Sequence, residues 1–144
     1  MSIYHLGRLL TLRLLSIYQW LFEMTDGRFS WFLGKPVLLL TTIGARTGTE
    51  RTAALVYATD GKDLVIVASA GGSDKHPGWY HNILKHPDVG VQIGRQRMQM
   101  TARIATATER PRLWARANQN NSQRYEWYQT KTERQIPVVR LSPL

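Results

Sequence analysis

Between residues 35 and 80 the chain reads as strand-like segments joined by links too short to hold a helix, and this constrains the fold more than any other feature. Val37-Leu-Leu-Leu-Thr-Thr-Ile43 is apolar and β-branched. Gly44-Ala-Arg-Thr-Gly-Thr49 turns the chain and Arg51-Thr-Ala-Ala-Leu-Val-Tyr-Ala58 returns it. Asp60-Gly61 then marks a two-residue hairpin ahead of Asp63-Leu-Val-Ile-Val-Ala-Ser69. Parallel strands need crossovers of about a dozen residues or more, so these three segments are antiparallel and a Rossmann unit is disfavoured. The glycine turn is weak evidence for a P-loop, because it lacks the Gly-Lys-Ser/Thr ending and no helix follows it.

Downstream, Pro77 stands where a helix can begin. Gly78-Trp-Tyr-His-Asn-Ile-Leu-Lys85 reads as a short helix stopped by His86-Pro87, with Asn82 packing or capping within it. Residues 89–93 and 96–107 are two more strands joined at Gly94. Thr108 is the expected N-cap of a helix carrying Leu113, Trp114 and Ala117. Residues 122–133 are polar and aromatic, and 136–141 form a last strand. The order is mainly β, about six strands, with helices inserted between strands three and four and between the last two. Closing such a sheet into a small barrel removes its edges.

Residues 3–24 read as an amphipathic helix with a wide apolar surface. His5, Arg8, Ser16, Gln19 and Glu23 fall within a sector of roughly 80° at about 100° per residue. The uncharged run 14–22 is too short for a bilayer, which takes about 20 apolar residues, and no small-residue cleavage site follows. Two placements stay open: packing on the barrel or a second subunit of a homodimer, or a peripheral membrane anchor. The expected organisation is a helix and connector over 1–34 and one barrel domain over 35–144.

Charge and cysteine usage narrow the function. The chain has no cysteine, which removes disulfides and thiolate metal sites and fits a cytosolic protein. His81 and His86 are five apart, where two ligands on one helical face need three or four, so no metal is expected. The net charge of +9 comes from 14 Arg and 5 Lys scattered along the chain. A basic nucleic-acid- or membrane-binding module would cluster them with aromatics, so this class is disfavoured. Arg110, Arg112 and Arg116 sit at helical spacing and read as a solvated face. The informative cluster is the turn: Gly44 and Gly48 flank Arg46 and Thr47, with Arg51 just beyond. Backbone N–H groups, a hydroxyl and two guanidinium forks together suit a phosphate or carboxylate. Ser69 beside Gly71-Gly72 suits close backbone approach to a ligand. The ten acidic residues stand mostly at turns and helix ends and assemble no hydrolytic site, which favours chemistry carried by a cofactor.

Several segments together resemble the deazaflavin (coenzyme F420)-dependent nitroreductase and quinone reductase family of the flavin/deazaflavin oxidoreductases. They are Leu38-Leu-Leu-Thr-Thr-Ile-Gly-Ala-Arg-Thr-Gly48 with Arg51, Asp60-Gly61, Val67-Ala-Ser-Ala-Gly-Gly72 and Lys75-His-Pro-Gly-Trp-Tyr-His-Asn82. His86-Pro87, Tyr125-Glu-Trp-Tyr128 and Ile136-Pro-Val-Val139 complete the set, which spans about residues 35 to 142. The resemblance implies a split β-barrel of FMN-binding-like type and hydride transfer from reduced F420 to a small electron-poor acceptor: a quinone, nitroaromatic or activated enone. FMN in the same barrel is the alternative cofactor. By resemblance, Arg46, Thr47, Gly48 and Arg51 hold the cofactor's phosphate and tail, the last two of the turn's contributions being a hydroxyl and a backbone donor from Thr47 and Gly48. Val67, Ala68, Ser69, Ala70, Gly71 and Gly72 lie along its ring, helped by Lys75 and Trp79, with Tyr80 at the same helix start. Tyr125 and Tyr128 match the family's substrate-pocket tyrosines, Tyr125 orienting the acceptor. Many members carry lysine where this chain has Ala70, which removes one cofactor contact. Ser122 and Arg124 thin the tyrosine-rich segment, which implies an acceptor more polar than a long-chain quinone.

Overall fold

The computed structural model describes residues 35–144 and the short backbone pairing at Trp31–Phe32. The expected 3–24 helix and nearly all of the 1–34 unit lie outside the described residues. After β1 (Trp31–Phe32) come β2 (Lys35–Ile43), β3 (Glu50–Val56), β4 (Ala58–Asp60) and β5 (Asp63–Val67). Helix α1 (Gly78–Lys85), strands β6 (Asp88–Ile93) and β7 (Gln96–Ile104), helices α2 (Arg110–Gln119) and α3 (Arg124–Gln129), and β8 (Val138–Pro143) follow.

Every strand pairing is antiparallel, as the short links require. The hydrogen-bonded path runs β3–β2–β6–β7–β8–β5–β4. Its two ends, β3 and β4, are separated in the chain by Tyr57 alone, whose N–H donates to Pro36 O at 3.3 Å. The sheet therefore curls until one interrupted strand serves both of its margins, and the fold is a split β-barrel with few helices. Eight strands replace the expected six. Tyr57 divides one expected strand, and β1 adds a two-residue pairing on Pro36 and Lys35.

Strand periodicity sorts the apolar runs onto two faces. Leu38, Leu40, Leu64, Ile66, Val89, Val91, Met100, Val139 and Leu141 form the cluster inside the barrel. The alternate residues Val65, Val67 and Val138 face outward and are covered by Leu113, Ala117 and Tyr125 of α2 and α3. This explains why β2 and β5 are apolar at consecutive positions: both faces are buried.

Three boundaries differ from the sequence reading. Strand β7 stops at Ile104 instead of reaching 107, because residues 107–109 turn the chain into α2. Thr108 does not cap α2: Glu109 stands at the N-cap and makes no side-chain cap bond. The turn ahead of the helix is closed by a reciprocal pair, Glu109 N–H donating to Thr106 Oγ1 at 3.3 Å and Thr106 N–H to Glu109 Oε1 at 2.9 Å. The last strand begins at Val138, since Pro137 has no N–H and Ile136 N–H is bound by Gln129 Oε1 at 2.9 Å.

Candidate functional site

The basic turn is built by its own bonds. Gly44 N–H donates to Thr49 O at 2.7 Å and Gly48 N–H to Gly44 O at 2.9 Å. A Cβ on Gly44 would stand 2.7 Å from Thr47 Oγ1, and Gly48 has φ +71°, so both positions need glycine. The Gly48 N–H and the Thr47 hydroxyl, 2.8 Å from Thr49 Oγ1, are thus already engaged within the turn, which leaves the side chains of Arg46 and Arg51 as its outward donors. Arg46, Thr47, Gly48 and Arg51 are all exposed, and neither arginine makes an ion pair among the described residues.

Helix α1 fixes that turn. Asn82, expected to pack or cap within its own helix, is buried but reaches out of the helix: Oδ1 accepts Ala45 N–H at 2.9 Å and Nδ2 donates to Thr42 Oγ1 at 3.0 Å. Lys85 Nζ donates to Ala45 O at 3.0 Å. The turn therefore docks on the C-terminal half of α1, while the glycine loop leads into its start.

That loop is a short 3₁₀ turn (Ala70–Gly72) in which Ala70, Gly71 and Gly72 have φ 46°, 63° and 82°. A Cβ on Gly72 would lie 2.9 Å from Tyr128 O, so the loop packs directly beneath the end of α3. Among the residues expected to line a ring, Val67, Ala68, Ser69, Gly72 and Trp79 are buried, Ala70 and Gly71 are half-buried, and Lys75 is exposed. Val67 and Trp79 belong to the two apolar clusters, so they shape the site from below.

Beside the loop opens a groove of about 870 Å³, lined by His76, Tyr80, Arg110, Trp114, Glu126 and Gln135 among others. The His76 and Tyr80 rings stack at 4.5 Å. Arg110 donates to Ile136 O at 2.6 Å and lies 5.0 Å over the Trp114 ring, whose Nε1–H is held by Glu126. Tyr125 is not part of this lining. It is 5% exposed, packs against Trp114 at 6.3 Å, and bonds through its hydroxyl to Asn121; burial pushes the phenol well above the usual range. Tyr128 packs at the edge of the same cluster.

Sequence reasoning passed over Arg134. Its guanidinium is bonded to the carbonyls of Ala68, Ser69 and Ser73 and faces His76. Backbone carbonyls as partners leave no residue-type signal, so only the fold reveals the contact.

Over residues 15–143 the sequence matches the family described as F420H(2)-dependent quinone reductase. The chain belongs to this family. An F420H(2)-dependent quinone reductase of Mycobacterium tuberculosis is 41% identical over 141 residues, 95% of each chain. A solved F420-H2 dependent reductase, FDR-A, superposes with a TM-score of 0.68 at 39% identity, covering 74% of this chain and 94% of its own. Another solved relative, described as a domain-swapped dimer, gives a TM-score of 0.71 at 34% identity over 92% of this chain and 98% of that one. Among the described residues no helix is long and apolar enough to cross a membrane.

Proposed function

We propose that this F420-dependent reductase holds its cofactor along α1, with the anionic tail at the basic turn and the ring at the 70–72 loop. The reduced deazaflavin of bound F420 supplies the hydride. The residues fit such a molecule: a pair of guanidiniums with no ion pair among the described residues stands on a turn tied to Asn82 and Lys85 of α1, and a loop of small residues leads into the start of the same helix. Arg46 and Arg51 bind phosphate or carboxylate; Ala70 and Gly71, which carry no side chain beyond Cβ, allow a flat ring to approach the backbone. His76 and Tyr80 connect this loop to the groove, which takes the small-molecule acceptor, of quinone type, against Trp114. The polar lining from Arg110, Glu126 and Gln135 favours an acceptor with oxygen substituents over a long hydrocarbon chain. The 3–24 segment, with its narrow polar sector, is proposed as the part that meets a membrane surface.

The observation that carries this reading is the exposed Arg46–Arg51 pair on a turn tied by Asn82 and Lys85 to α1. Titration of the purified protein with F420 and with FMN tests it. Tighter binding of F420 is expected, and equal or tighter binding of FMN would overturn the cofactor assignment. Replacing both arginines by Ala removes two charge-assisted contacts and is expected to weaken F420 binding at least about tenfold. Unchanged affinity in the double variant would place the tail elsewhere.

A further inference from the structure

One side chain bonds both ends of the segment 68–73. Arg134, in the connection between α3 and β8, donates from Nε to Ser73 O at 2.7 Å and from Nη2 to Ser69 O at 2.8 Å. Both Nη groups reach Ala68 O at 3.2 Å, and Nη1 lies 3.0 Å from His76 Nδ1. The loop held in this way carries three successive left-handed residues, one of them Ala70, a conformation that a non-glycine residue keeps only under external constraint.

The same contact fixes the state of His76. A guanidinium donates and has no acceptor, so His76 Nδ1 accepts and the ring proton sits on Nε2. Burial first, then the Arg134 and His81 charges, hold the imidazole below the ordinary histidine range. Tyr80 and His81 of α1 flank the ring. Asp74, bonded to Thr132, lies on the far side of Arg134, and Arg110, Glu126 and Glu133 stand along the groove that His76 lines.

We propose that Arg134 is a positioning residue for the reductase reaction: it sets residues 68–73 in the shape that seats the cofactor ring and presents His76 to the acceptor groove as a neutral Nε2–H donor. This rests on the placement of the ring at the 70–72 loop argued above. Three carbonyls and an imidazole nitrogen are met together by one planar fork. The ammonium of a lysine is a point donor and cannot span them.

The test uses the whole chain, with and without F420. In the wild-type protein alone, nitrogen-resolved NMR should find His76 as the Nε2–H tautomer, titrating below about 6.5. An Nδ1–H tautomer overturns the proposal without any variant. Arg134→Gln, which removes the cation beside Nδ1, should raise the His76 midpoint; an unmoved midpoint counts against the proposal. Adding F420 to the wild type should shift the Ala70, Gly71 and Gly72 amides. If these stay still, the ring placement fails and the proposal with it. If they shift, Arg134→Lys should melt cooperatively yet bind F420 about tenfold more weakly or worse. Wild-type affinity in Arg134→Lys would overturn the clamp alone and leave the ring placement standing.

Discussion

At the scale of single residues, the 70–72 loop shows what the sequence displays and what it conceals. Gly71-Gly72 reads as a place for close approach of a ligand; what the structure brings beside Gly72 is the protein's own backbone, since a Cβ there would press on Tyr128 O at 2.9 Å with φ +82°. Gly72→Ala is therefore expected to cost about 1–3 kcal/mol in a denaturant melt, from backbone strain and contact together, and to weaken F420 binding. Ala70 has φ +46° and half-exposed surroundings. Ala70→Gly should relieve about 1 kcal/mol of left-handed strain. Ala70→Lys leaves that strain as it is and adds a cation beside the site, so tighter F420 binding at unchanged stability is the expected result of a fluorescence titration. Tyr125 was legible as a distinctive aromatic but not as a buried one, since nothing in Tyr125-Glu-Trp-Tyr128 says which face of α3 meets the sheet. With its hydroxyl on Asn121, Tyr125→Phe is expected to cost about 0.5–1.5 kcal/mol of stability and to leave turnover near wild type. A turnover loss at unchanged stability would return the hydroxyl to the chemistry.

At the scale of elements, local signals held where they were local. The Gly61 turn gives the Asp60–Asp63 hairpin, and Gly94 joins β6 to β7. The arginine-rich helix carries more than its spacing shows. Arg112 and Arg116, read as a solvated face, are exposed and also reach Asp60 and the Thr59 carbonyl, while Arg110 is half-buried and reaches Ile136 O. Their partners lie far away in sequence, so spacing on α2 could not disclose them. Arg140 of β8 closes the network, meeting Asp60 at 2.8 Å, Asp63 at 2.7 Å and Glu109 at 3.3 Å. Glu109 is its most perturbed acid: the Arg103 guanidinium, then the Thr106 N–H, hold its carboxyl at about 2 against an ordinary 4.5. Because the folded value lies below the unfolded one, the associated stability is fully present above about pH 5 and is lost as pH falls through 4.5 toward 2. Glu109→Gln keeps the acceptor for Thr106 and removes the charge. It should lower stability at pH 7 by about 1 kcal/mol, the pair being partly solvated, with the gap to wild type closing near pH 2. A gap of equal size at both pH values would mean that packing, not charge, is what the substitution disturbs.

At the scale of the whole molecule, antiparallel order and barrel class followed from the link lengths, whereas the closure did not. A single-residue break at Tyr57 turns one strand into two, and no residue type there advertises it. Among the described residues, the cluster inside the barrel and the one beneath α2 and α3 each join strands of the sheet to helices packed on it. A smaller cluster of Val37 and Leu39, on the other face of β2, packs against Ala54 and Val56. The barrel domain thus has apolar clusters of its own, which makes a shortened chain informative. Deleting residues 1–30 is expected to leave a cooperatively folding barrel that binds F420 with near wild-type affinity, because bonds among Thr42, Ala45, Asn82 and Lys85 fasten the basic turn to α1 and Arg134 separately holds the 68–73 loop. What the shortened chain should lose is co-sedimentation with anionic vesicles, since the sequence of 3–24, read as a helix, pairs a wide apolar surface with a narrow polar sector. Vesicle binding that survives the deletion would move the membrane contact onto the barrel. A shortened chain that no longer melts cooperatively would instead assign the segment to packing on β2 or on a second subunit.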